Sequence, residues 1–114
     1  MTNVEKARFP QPLIDLLPEF AAELAQALRG DGDVGLEGQV PGLTITALCW
    51  CGDDFCASFY TGPRPDGSWG AGHECITPMT ATVMIILDVV DGRIRYVEVL
   101  HRDDVRSTIS MLVE

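Results

Sequence analysis

The fold of this chain is decided by residues 81–100, which read ATVMIILDVVDGRIRYVEVL. Two runs rich in β-branched residues, 81–90 and 93–100, flank the dipeptide Asp91-Gly92. A two-residue Asp-Gly connection favours the type I′ turn of an antiparallel hairpin. The register that follows pairs Val90 with Arg93, Val89 with Ile94, Asp88 with Arg95 and Leu87 with Tyr96.

This register assigns the hairpin side chains to two faces. Asp88 and Arg95 are expected to form a cross-strand ion pair on one face. The other face is expected to pack on the core through Leu87, Val89, Ile94 and Tyr96. Glu98 falls on the same face as Tyr96, and a carboxyl buried there would have a raised pKa and be a functional candidate. The alternative is a position near the sheet edge beside an arginine or a water molecule.

A second hairpin is predicted upstream, from residues 43–51 and 55–61 around a turn at Gly52-Asp53. In this register Cys49 lies opposite Cys56 and Leu48 opposite Ala57. One face is expected to join the core through Leu48, Trp50, Phe55 and Phe59. The other face carries Ile45, Cys49, Cys51, Cys56, Ser58 and Tyr60. Residues 61–72 form a loop rich in proline and glycine, and 73–77 are predicted to be a further short strand.

Helices are predicted at both ends of the chain. Residues 13–28 place Phe20, Leu24, Ala27 and Leu28 on one stripe, with Pro18 either kinking the helix or occupying the first turn of its main segment. A C-terminal helix begins at Asp103 or Asp104 and carries Val105, Ile109 and Leu112 on one stripe. The sequence thus predicts an α+β fold with a meandering antiparallel sheet of four to five strands, flanked by an N-terminal and a C-terminal helix. Residues 1–114 form a single domain, in which 1–12 are a loose N-terminal arm.

Composition and charge restrict the partners of the protein. The 114 residues carry a net charge of −9, with eight basic residues scattered along the chain. Nucleic acid and anionic membrane surfaces are therefore not expected as partners, whereas a basic protein remains compatible with an acidic surface.

The N-terminus lacks the features of a signal peptide, so a cytoplasmic protein with reduced cysteines is expected. Seven arginines against one lysine are typical of a GC-rich bacterial source.

The cysteines form the candidate site with the most chemistry. All four of them, with one of the two histidines, follow the spacing C-x-C-x4-C-x16-H-x-C: Cys49, Cys51, Cys56, His73 and Cys75. Alternate residues of a strand share a face, so these side chains could supply the soft ligands of a zinc ion. Knuckles of the C-x2-C type are absent from the sequence. The same residues could instead fill one sheet face as small apolar side chains, or act as redox thiols.

Trp69 is the second candidate. It lies in the loop at 61–72, where an aromatic side chain could anchor a partner protein or fold back as a lid over the core.

Three functions remain open from the sequence. The leading one is a small acidic protein-binding module without catalysis and without a cofactor, for which homodimerisation is possible through a free sheet edge. The second is a domain stabilised by zinc at the cysteines and His73. The third is a small thiol-dependent enzyme, which requires a thiol with a lowered pKa.

Overall fold

The computed structural model describes residues 8–49, 56–79 and 84–112. Its centre is a five-stranded antiparallel sheet with the strand order β3-β4-β7-β6-β5. The strands are β3 (Ala47–Leu48), β4 (Phe59–Tyr60), β5 (His73–Ile76), β6 (Ile85–Val90) and β7 (Arg93–Val99). The predicted α+β class with an antiparallel sheet is confirmed. Strands β5, β6 and β7 form a meander, while β4 pairs across the chain with β7.

The hairpin of β6 and β7 turns where the sequence predicts. Asp91 and Gly92 both have positive φ angles, 51° and 79°, as a type I′ turn requires. The two pairs next to the turn, Val90 with Arg93 and Val89 with Ile94, are confirmed.

Beyond these two pairs the register shifts by one residue. A β-bulge places Asp88 opposite Tyr96 and Leu87 opposite Val97, so the predicted pairs Asp88–Arg95 and Leu87–Tyr96 are wrong. Arg95 is the extra residue of the bulge, and its carbonyl accepts a hydrogen bond of 2.8 Å from the Thr61 N–H.

The bulge exchanges the two faces of β7. Val97 and Val99 become fully buried, whereas Tyr96 and Glu98 are only half-buried on the opposite face. An unbulged strand would direct the tyrosine and the glutamate into the core and expose the two valines, because side chains alternate strictly along a strand. Burial of the valines therefore accounts for the shift.

The hairpin of β3 and β4 also differs from its predicted register. Leu48 lies opposite Phe59, and the Cys49 N–H donates to the Ser58 carbonyl at 3.0 Å. The predicted pairs of Cys49 with Cys56 and of Leu48 with Ala57 are therefore wrong. The predicted turn at 52–53, together with Trp50, Cys51 and Phe55, lies outside the described residues.

Ile45 does not join the cysteine face as predicted, because its strand belongs to another sheet. Residues Thr44–Ile45 form β2, which pairs with β1 (Gln11–Pro12) at the end of the predicted arm. Thr46 separates β2 from β3, and its hydroxyl donates to the Gly62 carbonyl at 2.8 Å. Across this break Ile45 turns into the core, where it is fully buried.

The helices cover one face of the five-stranded sheet. They are α1 (Leu13–Leu16), α2 (Pro18–Gly30), α3 (Val34–Glu37) and α4 (Asp103–Leu112), with a short 3-10 turn at Val40–Gly42. Pro18 is the first residue of α2, the second of the two predicted positions. Phe20 packs edge-to-face on Phe59 with 6.0 Å between ring centroids, and Val105 and Ile109 join the same hydrophobic core.

Arg102 connects helices α2 and α4 on this side of the sheet. Its guanidinium contacts Glu23 of α2 at 2.6 Å and Asp104 of α4 at 2.7 Å. Strands β3 and β5 form the two edges of the sheet. In the described parts of the chain, no helix has the length and apolar character needed to cross a membrane.

Candidate functional site

The side chains with the most chemistry lie on the sheet face opposite the core, which we call the outer face. Burial alternates along β6, with Ile85, Leu87 and Val89 buried and their neighbours half-buried. The outer face comprises the half-buried residues Ile86 and Asp88 of β6 together with residues in or next to the other strands: Cys49, Ser58, Tyr60, His73, Cys75, Tyr96 and Glu98. The buried residues of the helices belong to the core on the other side.

Three potential ligands meet at the β5 edge of the outer face. His73 and Cys75 are two residues apart in β5, and Asp88 of β6 lies directly opposite Cys75. The His73 Nε2 is 2.7 Å from the Asp88 Oδ1, and the Cys75 Sγ is 3.3 Å from the same oxygen. The Cys75 Sγ is 3.8 Å from the His73 Nε2. We call these three residues the His73 cluster, and their ligand atoms all lie within 4.8 Å of one another.

The His73 cluster does not have the arrangement of a catalytic thiol. A nucleophilic cysteine is activated by an imidazole that contacts the thiol through one ring nitrogen and an orienting group through the other. Here Cys75 and Asp88 both approach Nε2. The hydrogen bond to Asp88 raises the pKa of the exposed Cys75 thiol, and desolvation and the negative charges of Asp88 and Glu98 act in the same direction. A raised pKa suppresses the thiolate that nucleophilic attack requires.

A second group of polar side chains lies near the β3 edge. The buried Ser58 hydroxyl accepts hydrogen bonds from the Val99 N–H at 2.9 Å and from the Cys56 thiol at 3.3 Å. Burial and a hydrogen bond with Cys49 raise the pKa of the Tyr96 hydroxyl, which also bonds with Ser58. Cys49, Cys56, Ser58 and Tyr96 thus form one network, which we call the tyrosine cluster. Cys49 and Cys75 are free thiols.

The structure divides the five predicted zinc ligands. His73 and Cys75 come together, whereas Cys49 and Cys56 belong to the tyrosine cluster. Cys56 bridges to Leu100 beside β7, on the β4 side of the sheet, and β4 is three strand positions from β5. At about 4.8 Å per strand, this separates the two groups by about 14 Å. Cys51 lies outside the described residues.

Trp69 lies over the outer face and not over the core. Its indole stacks on the His73 imidazole at 6.1 Å and contacts the Tyr60 ring at 6.3 Å. Tyr60 in turn contacts Tyr96 at 4.5 Å. These rings form a continuous aromatic row from the His73 cluster to the tyrosine cluster. The Arg64 guanidinium is 5.7 Å from the centre of the Tyr60 ring.

A groove lies at another part of the surface, between the 3-10 turn and β7. Gln39, Thr44 and Thr61 line it with Arg93 and Arg95. Its described lining includes no cysteine, histidine or carboxylate, so it offers hydrogen bonds and positive charge without a general base.

Sequence reasoning missed two members of the site. The sequence predicts Asp88 beside Arg95 and Tyr96 in the core, because the hairpin pattern predicts no bulge. Glu98 is half-buried on the outer face, where its negative charge acts on Cys75.

Comparison of the chain with protein-family models, with curated proteins and with solved structures gave no match.

Proposed function

We propose that the protein binds a basic segment of a partner protein through the outer face of its sheet. The observation that carries this proposal is the aromatic row of Trp69, Tyr60 and Tyr96 on the face that the helices leave open. Tryptophan and tyrosine are enriched among the few residues that supply most of the binding energy in protein interfaces. Arg64 already lies near the Tyr60 ring, in the position that a cation takes over an aromatic face.

The charge of the chain favours a partner of opposite sign. Seventeen acidic residues stand against eight basic ones, which gives a net charge of −9. Asp88 and Glu98 add two carboxylates beside the aromatic row. Such a surface attracts arginine and lysine side chains over long range and repels acidic partners.

A thiol-dependent enzyme receives less support from the same face. The raised pKa of Cys75 and the single imidazole nitrogen that it shares with Asp88 both work against an activated nucleophile. Binding of a partner protein does not require an activated nucleophile.

The proposal can be tested by selecting peptides from a random displayed library on the immobilised protein in the presence of a chelator. The enriched peptides are then synthesised and titrated calorimetrically against the wild type and against Trp69→Ser and Tyr60→Ser. Met111→Ser is the matched control, because Met111 is 73% exposed on α4. Arg64→Ala is a further variant, since it opens the Tyr60 ring to a peptide cation.

We expect enrichment of arginine and lysine and binding that weakens with salt. Loss of an aromatic anchor is expected to weaken binding about 30-fold, which corresponds to about 2 kcal/mol. Met111→Ser should leave the affinity unchanged, and Arg64→Ala should preserve or raise it. Selected peptides without basic residues, or with equal affinity for wild type and Trp69→Ser, would refute the proposal.

A further inference from the structure

We infer that His73, Cys75 and Asp88 form a binding site for one zinc ion at the edge of the sheet. This site differs from the predicted cysteine set, since it includes a carboxylate and excludes Cys49 and Cys56. An imidazole nitrogen, a thiolate and a carboxylate oxygen are all ligands that zinc accepts. The three come from neighbouring positions of two hydrogen-bonded strands, so the backbone of the sheet fixes their spacing.

The distances between the ligand atoms agree with tetrahedral coordination. Zinc bonds of about 2.0 Å to nitrogen and oxygen and about 2.3 Å to sulfur place tetrahedral ligands roughly 3.3 to 3.6 Å apart. The observed separations are 2.7 Å from Nε2 to Oδ1, 3.3 Å from Sγ to Oδ1 and 3.8 Å from Sγ to Nε2. Each ligand atom therefore needs to move by only a fraction of an ångström to accept the ion.

The shortest separation has a simple cause. A proton between His73 and Asp88 holds Nε2 and Oδ1 at hydrogen-bond distance. Zinc binding to Nε2 leaves the imidazole proton on Nδ1, and the Cys75 thiol loses its proton to solvent when the Zn–S bond forms. The thiolate and the carboxylate then offset the two charges of the ion.

The surroundings of the cluster favour a cation and leave room for a fourth ligand. Glu98 adds a second negative charge near Cys75. The side chains of His73 and Asp88 are 28% and 18% exposed, so water can reach the metal position. Three protein ligands with one open position are typical of zinc sites that exchange their fourth ligand.

Two contacts orient the β5 side of the site. The indole of Trp69 stacks on the His73 ring with an angle of 25° between the planes, which restricts rotation of the imidazole. The Asp91 N–H donates to the Gly72 carbonyl at 3.1 Å and fixes the backbone immediately before His73. A restricted imidazole loses less entropy when it binds a metal.

The inference is tested by cobalt substitution of the complete chain, purified without an affinity metal and stripped with a chelator. Co²⁺ reports a thiolate ligand by a charge-transfer band and tetrahedral geometry by its visible absorption, and Zn²⁺ displaces it in a competition titration. The ligand variants are His73→Gln, Cys75→Ser and Asp88→Asn. The matched controls are Cys49→Ser, Cys56→Ser and His101→Gln, which alter the other described thiols and the second histidine of the chain. Circular dichroism verifies that each variant is folded.

We expect one metal ion per chain. Loss of a group behind a zinc ligand weakens affinity 10- to 100-fold, so loss of a ligand itself should weaken it by at least about 100-fold. The controls should bind as the wild type does. Absence of the thiolate band, or retained affinity in Cys75→Ser and Asp88→Asn, would overturn the inference. Loss of binding only in Cys49→Ser or Cys56→Ser would overturn it as well, because the metal would then lie at the tyrosine cluster. The peptide selection in chelator is independent of this result.

Discussion

Replacement of Ser58 by alanine tests whether the tyrosine cluster stabilises the fold. Ser58 is only 2% exposed, and its hydroxyl accepts the Val99 N–H at 2.9 Å. Alanine at position 58 removes this acceptor while the backbone of β7 remains buried. An unsatisfied buried donor costs about 1–3 kcal/mol, so we expect the free energy of unfolding to fall by about 2 kcal/mol.

The expected change in melting temperature follows from the size of the chain. An unfolding entropy of about 2.1 cal/mol/K per residue gives about 0.24 kcal/mol/K for 114 residues. One kcal/mol therefore corresponds to about 4 °C, and Ser58→Ala is expected to lower the Tm by about 8 °C. The measurement is thermal unfolding followed by circular dichroism, with urea unfolding to verify that the dependence on denaturant is unchanged.

Ser107→Ala is the control, because Ser107 is exposed on α4 and the change is expected to stay within about 0.5 kcal/mol. A Tm loss below about 2 °C for Ser58→Ala would show that the Val99 N–H finds another acceptor. The hydroxyl would then not be a structural part of the sheet.

Three further predictions concern the contacts of Arg102 with α2 and α4 and the start of β5. Arg102→Ala should lower the free energy of unfolding by about 1 kcal/mol in urea titrations, because Glu23 and Asp104 lose their guanidinium partner. The hydrogen bond from Arg102 lowers the pKa of Asp104 from 3.8 to about 2. The ionised carboxylate therefore stabilises the fold fully above about pH 4, and this stabilisation is lost as the pH falls through 2. The difference in Tm between wild type and Asp104→Asn should shrink over that interval. Gly72→Ala should lower the Tm, because Gly72 has a φ of 82° and a methyl group there would collide with the Asp91 carboxylate; an unchanged Tm would contradict the assigned backbone conformation.

The sequence predicts those parts of the fold that depend on local chemistry. Asp91-Gly92 defines the turn, and the apolar stripe of α2 defines which side of that helix is buried. The sequence of the hairpin alone does not predict the bulge at Arg95. The bulge buries Val97 and Val99, and it is accompanied by a hydrogen bond with Thr61, a residue 34 positions away in the chain. Register beyond the first pairs of a hairpin is decided by such distant contacts and by which face is buried.

The candidate site is likewise predicted by the sequence only where its residues are close together in the chain. His73 and Cys75 are separated by one residue, so an extended segment necessarily places them on one face. Their partner Asp88 depends on the pairing of β5 with β6, whose connection through residues 77–84 carries no two-residue turn signal. Cys49 and Cys56 lie beside different strands, and their distance from β5 depends on the insertion of β7 and β6 between β4 and β5.

The bulge explains why a carboxylate is available to the His73 cluster. In the regular register Asp88 would face Arg95, and a salt bridge would compete for the oxygen that His73 and Cys75 use. The extra residue instead places Tyr96 opposite Asp88 and brings Glu98 onto the same face. The outer face thereby gains an aromatic ring and a negative charge, while the core gains Val97 and Val99. Packing of the core and composition of the outer face are thus two consequences of one inserted residue. A change that removed the bulge would alter both faces together.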